Sequence, residues 1–246
     1  LVIATLLAGF LAGISWHLSF VVYCISGISL FFAFYLDEKP PFYSASAQEA
    51  TPVQQPATHH HKKYNWLIKL MLFYYVATFL ALTIPLNLSL YMHNLKLGIS
   101  GTLISVFFLS MTLPGLLINR IIALLKAYTN FIAIVLLTVG LIFFVFKAGM
   151  FLLTLGVILT GFGYGIMQPI IYDKTASHVK PSEATFVLSL VMVMNYIAII
   201  TYPFILQGIE SLFSTDSAYF PFILSTIIAC CFSIFAFFRH HSETLN

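Results

Sequence analysis

A chain of 246 residues that is 60% hydrophobic and 8% charged, with net charge +3 and mean hydropathy +0.98, has too little polar side chain to cover a soluble domain of that size. Its Lys and Arg residues are spread along the chain rather than clustered, which argues against a nucleic-acid partner. Cys24, Cys230 and Cys231 lie inside apolar runs at unsuitable spacing, so neither a disulfide framework nor a metal site is indicated, and no cofactor is expected.

In chain order the apolar segments cover 1–14, 18–36, 67–91, 99–119, 128–146, 151–172, 184–206 and 219–238. About twenty apolar residues are needed to cross a hydrocarbon core, and most of these segments reach or approach that. They are too long for tilted barrel strands and lack alternating polarity. The expected fold is all-α: a polytopic transmembrane helical bundle with about eight spans. Between the second and third spans, residues 37–65 hold Pro40, Pro41, Pro52 and Pro56 among Ser, Ala, Gln and Thr, the composition of a flexible linker. His59, His60 and His61 lie in this stretch, where a flexible backbone gives no fixed coordination geometry. The other connections are short, so neighbouring helices should be antiparallel.

Nine of the eleven cations fall on alternate sides of the spans: Lys39, Lys62, Lys63, Lys69, Arg120, Lys126, Lys174, Lys180 and Arg239. Lys96 and Lys147 occupy the opposite gaps. Because Lys and Arg collect in cytoplasmic loops, the linker and the C-terminus are predicted to face the cytoplasm. Trp16 and the Tyr64–Trp66 region sit where interfacial aromatics belong. Leu1 opens inside an apolar run without a Met or a basic leader, so the chain reads as a cut through a longer protein.

Three stretches carry a family resemblance. Residues 8–20, Ala-Gly-Phe-Leu-Ala-Gly-Ile-Ser-Trp-His-Leu-Ser-Phe, resemble a small-residue helix end followed by a W-R-x-x-F turn, with His17 in place of Arg; Asp37-Glu38 then closes the next helix. Gly161-Phe162-Gly163-Tyr164-Gly165, with Pro169 and then Val179-Lys180-Pro181, forms the second. Gly115-Leu116-Leu117-Ile118-Asn119-Arg120 resembles a G-x-x-x-D-R loop, with Asn119 in place of the acid. Together these are similar to the major facilitator superfamily, whose members have two six-helix halves joined by a long loop.

The resemblance implies helices five to twelve of such a transporter. Residues 1–36 would be the last two helices of the N-terminal bundle, 37–65 the cytoplasmic linker, 66–239 the C-terminal six-helix bundle and 240–246 a cytoplasmic tail. The first helices of the same protein would be its partner within the lipid bilayer. The implied function is secondary active transport of a small-molecule substrate across the plasma membrane by alternating access, coupled to a proton or another ion. The motifs look closest to drug- or sugar-efflux members, so export of a small organic compound is the first expectation. An uptake permease is the alternative, since Ala4-Thr5 stands where antiporters carry Gly-Pro. A channel is a further reading. No nucleophile elbow, phosphate loop, C-x-x-C or H-E-x-x-H occurs, and an enzyme is not expected.

A transport cavity needs polar groups at mid-depth. Tyr74, Tyr75 and Thr78 share one span, and adjacent helical positions diverge by about 100°, so only one of the two tyrosines is expected to face a cavity. Tyr164 and Gln168 lie one turn apart on another span, and Asn195 beside Tyr196 lies on a third. An amide at bilayer depth needs water or a partner, so either a cavity position or an interhelical contact is expected for Gln168 and Asn195. Arg120 and Asp173, at span ends, are candidates for a cytoplasmic gate pair or a coupling-proton site; a solvated helix-end charge is the other reading of Asp173.

Overall fold

The computed structural model describes residues 60–97, 100–146, 149–215 and 217–244. The predicted spans at 1–14 and 18–36, and most of the predicted linker, lie outside the described residues. Six helices are described: α1 (His60–Asn94), α2 (Ser100–Leu125), α3 (Thr129–Val145), α4 (Met150–Ser177), α5 (Pro181–Leu212) and α6 (Phe220–Thr244), with a 3₁₀ turn at Lys126–Tyr128 between α2 and α3. Among the described residues there is no strand.

Five of the six helices are long and apolar enough to cross a membrane. The eight-span count is therefore replaced, for the described residues, by five helices of full length and α3, which has 17 residues. At 1.5 Å per residue α3 extends roughly 26 Å, slightly short of the ~30 Å hydrocarbon thickness.

Helices α1, α4 and α5 overrun their apolar runs at both ends, and α2 and α6 at their C-terminal ends, because nothing in the flanking sequence there breaks them; α3 stays within its run. Helix α1 already starts at His60, inside the stretch read as linker, although its apolar part begins at Asn65. Helix α2 continues past Asn119 and Arg120 to Leu125. The Gly115–Arg120 stretch, expected as a loop, is thus helical. Ile121, Ile122 and the following Ala and Leu residues prolong the apolar face, and a long Arg stem can lie along it with its head in water. Where chain reversal is required, it is local. Lys96 (φ 58°) and Ser214 (φ 47°) adopt left-handed conformations just beyond α1 and α5. The next amides reach back five residues, Leu97 N–H to Met92 O and Thr215 N–H to Glu210 O, each at 3.0–3.1 Å. These are Schellman closures made without glycine. Pro181 opens α5 at its first turn, where its missing N–H has no cost.

Helix α4 is the centre of the packing, with α2 on one side and α3 on the other. Its glycines allow this. A Cβ on Gly163 would lie 2.6 Å from the Ala133 carbonyl oxygen of α3, and one on Gly161 2.6 Å from the Phe107 carbonyl oxygen of α2. A Cβ on Gly165 would run into the Met111 backbone of α2. Without a hydrophobic drive between helices in lipid, backbone contact of this kind supplies dispersion energy instead. Helix α6 covers α3, where Thr138 and Ser233 hydroxyls meet at 2.8 Å. Helix α1 joins α4, α5 and α6, and α5 keeps most of its surface exposed.

The antiparallel order gives the bundle two distinct ends. Trp66 of α1 contacts His178 beyond α4 at one end. At the other, Tyr91 of α1 donates a hydrogen bond of 2.8 Å to the Phe144 carbonyl in the last turn of α3 and packs on Tyr219, just before α6, and on Phe222 of α6. Lys69, Arg120, Lys126, Lys174 and Lys180 all lie in or beside helix segments toward the Trp66 end, whereas Lys96 lies at the Tyr91 end.

Candidate functional site

The candidate polar residues converge on the seam between α1, α4 and α5. Tyr164, Gln168 and Tyr172 are spaced by four on α4 and form one stripe, as 3.6-residue periodicity requires. Tyr74 and Thr78 form the facing stripe on α1. The Gln168 amide donates to the Tyr74 hydroxyl at 3.2 Å, and the Tyr74 and Tyr172 hydroxyls lie 2.8 Å apart with their rings edge to face. One turn along, Thr78 and Tyr164 hydroxyls are 3.0 Å apart, and Tyr164 donates across to Asn195 Oδ1 of α5 over a long 3.5 Å.

Burial grades across this array. Tyr74, Thr78 and Tyr164 are buried, Gln168, Tyr172 and Asn195 are half-buried, and Tyr196 is 63% exposed. The inner hydroxyls satisfy one another, which is what buried polar groups require. The amides at the rim retain donors and acceptors that can serve something else.

Tyr75 points elsewhere, its hydroxyl 2.7 Å from Thr201 of α5. The two adjacent tyrosines therefore tie α1 to different helices, in keeping with their angular separation. Thr201, Tyr172, Asn87 and Tyr202 were not anticipated. Tyr172 continues the 164/168 spacing by one more turn, and that periodicity could have revealed it. Asn87 follows Pro85, through which α1 continues as helix. Its amide donates 2.7 Å to the Tyr202 hydroxyl and 3.2 Å to the Thr83 carbonyl, while Thr83 and Ser225 hydroxyls meet at 2.6 Å. This second polar group links α1, α5 and α6 nearer the Tyr91 end.

Arg120 and Asp173 are both exposed, and among the described residues neither makes an ion pair. The structure does not bring them together. Asp173 lies in the last two turns of α4, which runs past it to Ser177. Among the described residues no Asp, Glu, Lys or Arg occurs between Lys69 and Asn94 of α1, between Met150 and Tyr172 of α4, or between Ala184 and Ile209 of α5. The array is thus built from hydroxyls and amides alone.

Long apolar helices bundled around a buried hydroxyl and amide seam define an α-helical multi-pass membrane protein. The model of the Major Facilitator Superfamily matches residues 1–203, and the chain belongs to that family of secondary transporters. No curated protein and no solved structure matches it.

Proposed function

We propose that the protein exports a small, neutral or hydrophobic organic compound from the cytoplasm across the plasma membrane by alternating access. The substrate would rest on Gln168, Tyr172, Asn195 and Tyr196, with Tyr74, Thr78 and Tyr164 holding those groups from behind. The observation that carries this reading is the graded array itself: mutually satisfied hydroxyls inside, partly satisfied amides at the rim, and no charge at mid-span. Such a surface offers directional hydrogen bonds and aromatic faces but nothing to neutralise a polyanion. Coupling to a proton or another ion belongs to the same proposal, with Asp173 and Arg120 at the proposed cytoplasmic end.

Single cysteines at Asn195 and Tyr196 test the mechanism. Impermeant thiol reagents applied from either side should find them alternately, and substrate should protect them. Simultaneous access from both sides would establish a pore instead. Direction is read from substrate accumulation in everted vesicles, which export requires. The inward direction has one observation behind it, Ala4-Thr5 in place of Gly-Pro, and accumulation in right-side-out vesicles would select it.

A further inference from the structure

The α1–α4 seam does not stop at Tyr172. Trp66 lies two turns before Tyr74 on α1, and His178 is the residue that caps the end of α4. Their ring centroids are 5.0 Å apart with planes inclined at 35°. His178 Nδ1 lies 2.8 Å from the Lys174 carbonyl oxygen, and since a carbonyl only accepts, Nδ1 carries the hydrogen. The Ser177 hydroxyl supports the same end, 3.2 Å from both Nδ1 and the Lys174 carbonyl. This leaves Nε2 as the nitrogen that takes up a proton, on a side chain exposed to solvent.

We infer that Trp66 and His178 form a proton-responsive clasp that fastens the end of α4 to the start of α1. Protonation places a cation against the indole face and, at the same time, a positive charge at the C-terminal end of a helix. Both effects favour the closed pair, and together they shift its opening equilibrium by about tenfold. The pair is the last rung of a ladder whose next rungs are Tyr74–Tyr172 and Thr78–Tyr164, so opening it exposes the array from that end. Charged groups near the clasp in sequence are Lys62, Lys63 and Lys69 on α1, Asp173 and Lys174 on α4, and Lys180 and Glu183 at the start of α5. The chain carries seven other histidines, His17, His59, His60, His61, His93, His240 and His241, so the comparison must isolate His178.

The physical clasp is tested independently of transport; only its consequence for flux rests on the proposed function. Trp16→Phe leaves Trp66 as the tryptophan of this chain. Because an imidazolium quenches indole emission on contact, Trp66 fluorescence should fall reversibly as the pH is lowered from about 8 to about 5.5. The same titration should be flat once His178→Gln is added. Thermal midpoints give a second readout: the loss caused by His178→Gln should be larger at the acidic end, and Trp66→Leu should abolish that difference while Trp66→Phe retains part of it. In vesicles, acidifying the side that bears His178 should slow exchange of the parent protein and leave His178→Gln unaffected. A fluorescence titration that is unchanged by His178→Gln, or flat in both proteins, overturns the clasp. A His178-dependent titration with no effect on flux keeps the clasp and removes its gating role.

Discussion

The hydroxyl of Tyr74 lies 2.8 Å from that of Tyr172, whereas the next residue, Tyr75, reaches 2.7 Å to Thr201 on a different helix. Two adjacent side chains of α1 thus fix it simultaneously to α4 and α5. The helices that bear the candidate site are held in register by polar bonds, while α2, α3 and α4 are held by glycine contacts.

Removing the Tyr74 hydroxyl with Tyr74→Phe should cost about 1 kcal/mol of stability, because Gln168 and Tyr172 both lose a partner. The thermal midpoint in detergent should fall. A midpoint equal to that of the parent would mean that the array is already solvated.

Much of the bundle was legible from composition, because a helix in lipid must satisfy its own backbone and so declares itself as an apolar run. The termini were not. Charged residues such as Arg120 and Asp173 look like loop residues, yet their helices carry on through them, since a charged head reaches water from inside a helix. The site was half legible. Tyr164 and Gln168 stood out by spacing, but their partners come from α1 and α5, and interhelical register cannot be read from one segment at a time. Tyr172 closes an apolar run and Asn87 sits just beyond Pro85 of α1, so neither position announces its polar partner in the sequence.

Gly163→Ala and Gly165→Ala should each destabilise the fold by roughly 1–3 kcal/mol, since the added methyl meets backbone that cannot rotate away. Gly115→Ala is the control. No atom lies within 4 Å of a Cβ there, so its midpoint should be unchanged or higher. Equal effects at all three positions would refute the glycine-mediated packing of α4 against α2 and α3.

Ser214 holds a left-handed backbone conformation that glycine adopts without penalty. Ser214→Gly should therefore stabilise the protein by about 0.5–1 kcal/mol, and Lys96→Gly should act in the same direction. Thermal midpoints of the single and double variants measure this, and a decrease in either would show that its closure is not the native one.

Single cysteines at Lys180 and Lys96 should be labelled from opposite sides of sealed vesicles, Lys180 from the cytoplasm and Lys96 from outside. The expectation rests on Lys69, Arg120, Lys126, Lys174 and Lys180 at the Trp66 end against Lys96 at the Tyr91 end. Labelling of both from one side would overturn the antiparallel order, and exchanged sides would invert the proposed orientation.

The rim amides offer the sharpest test of the site. If Gln168 and Asn195 contact substrate, Gln168→Ala and Asn195→Ala should each weaken binding by up to about tenfold, the equivalent of one hydrogen bond to a neutral ligand, on the order of 0.5–1.5 kcal/mol. Stability should respond unequally. Gln168 also bonds Tyr74 at 3.2 Å, so its loss should lower the thermal midpoint, whereas the 3.5 Å contact of Asn195 with Tyr164 is too long to contribute much. Asn195→Ala is then the cleaner variant: reduced affinity with a near-parental midpoint assigns it to the substrate path. The opposite pattern, parental affinity with a lowered midpoint, would make it an interhelical tie and move the binding surface away from α5.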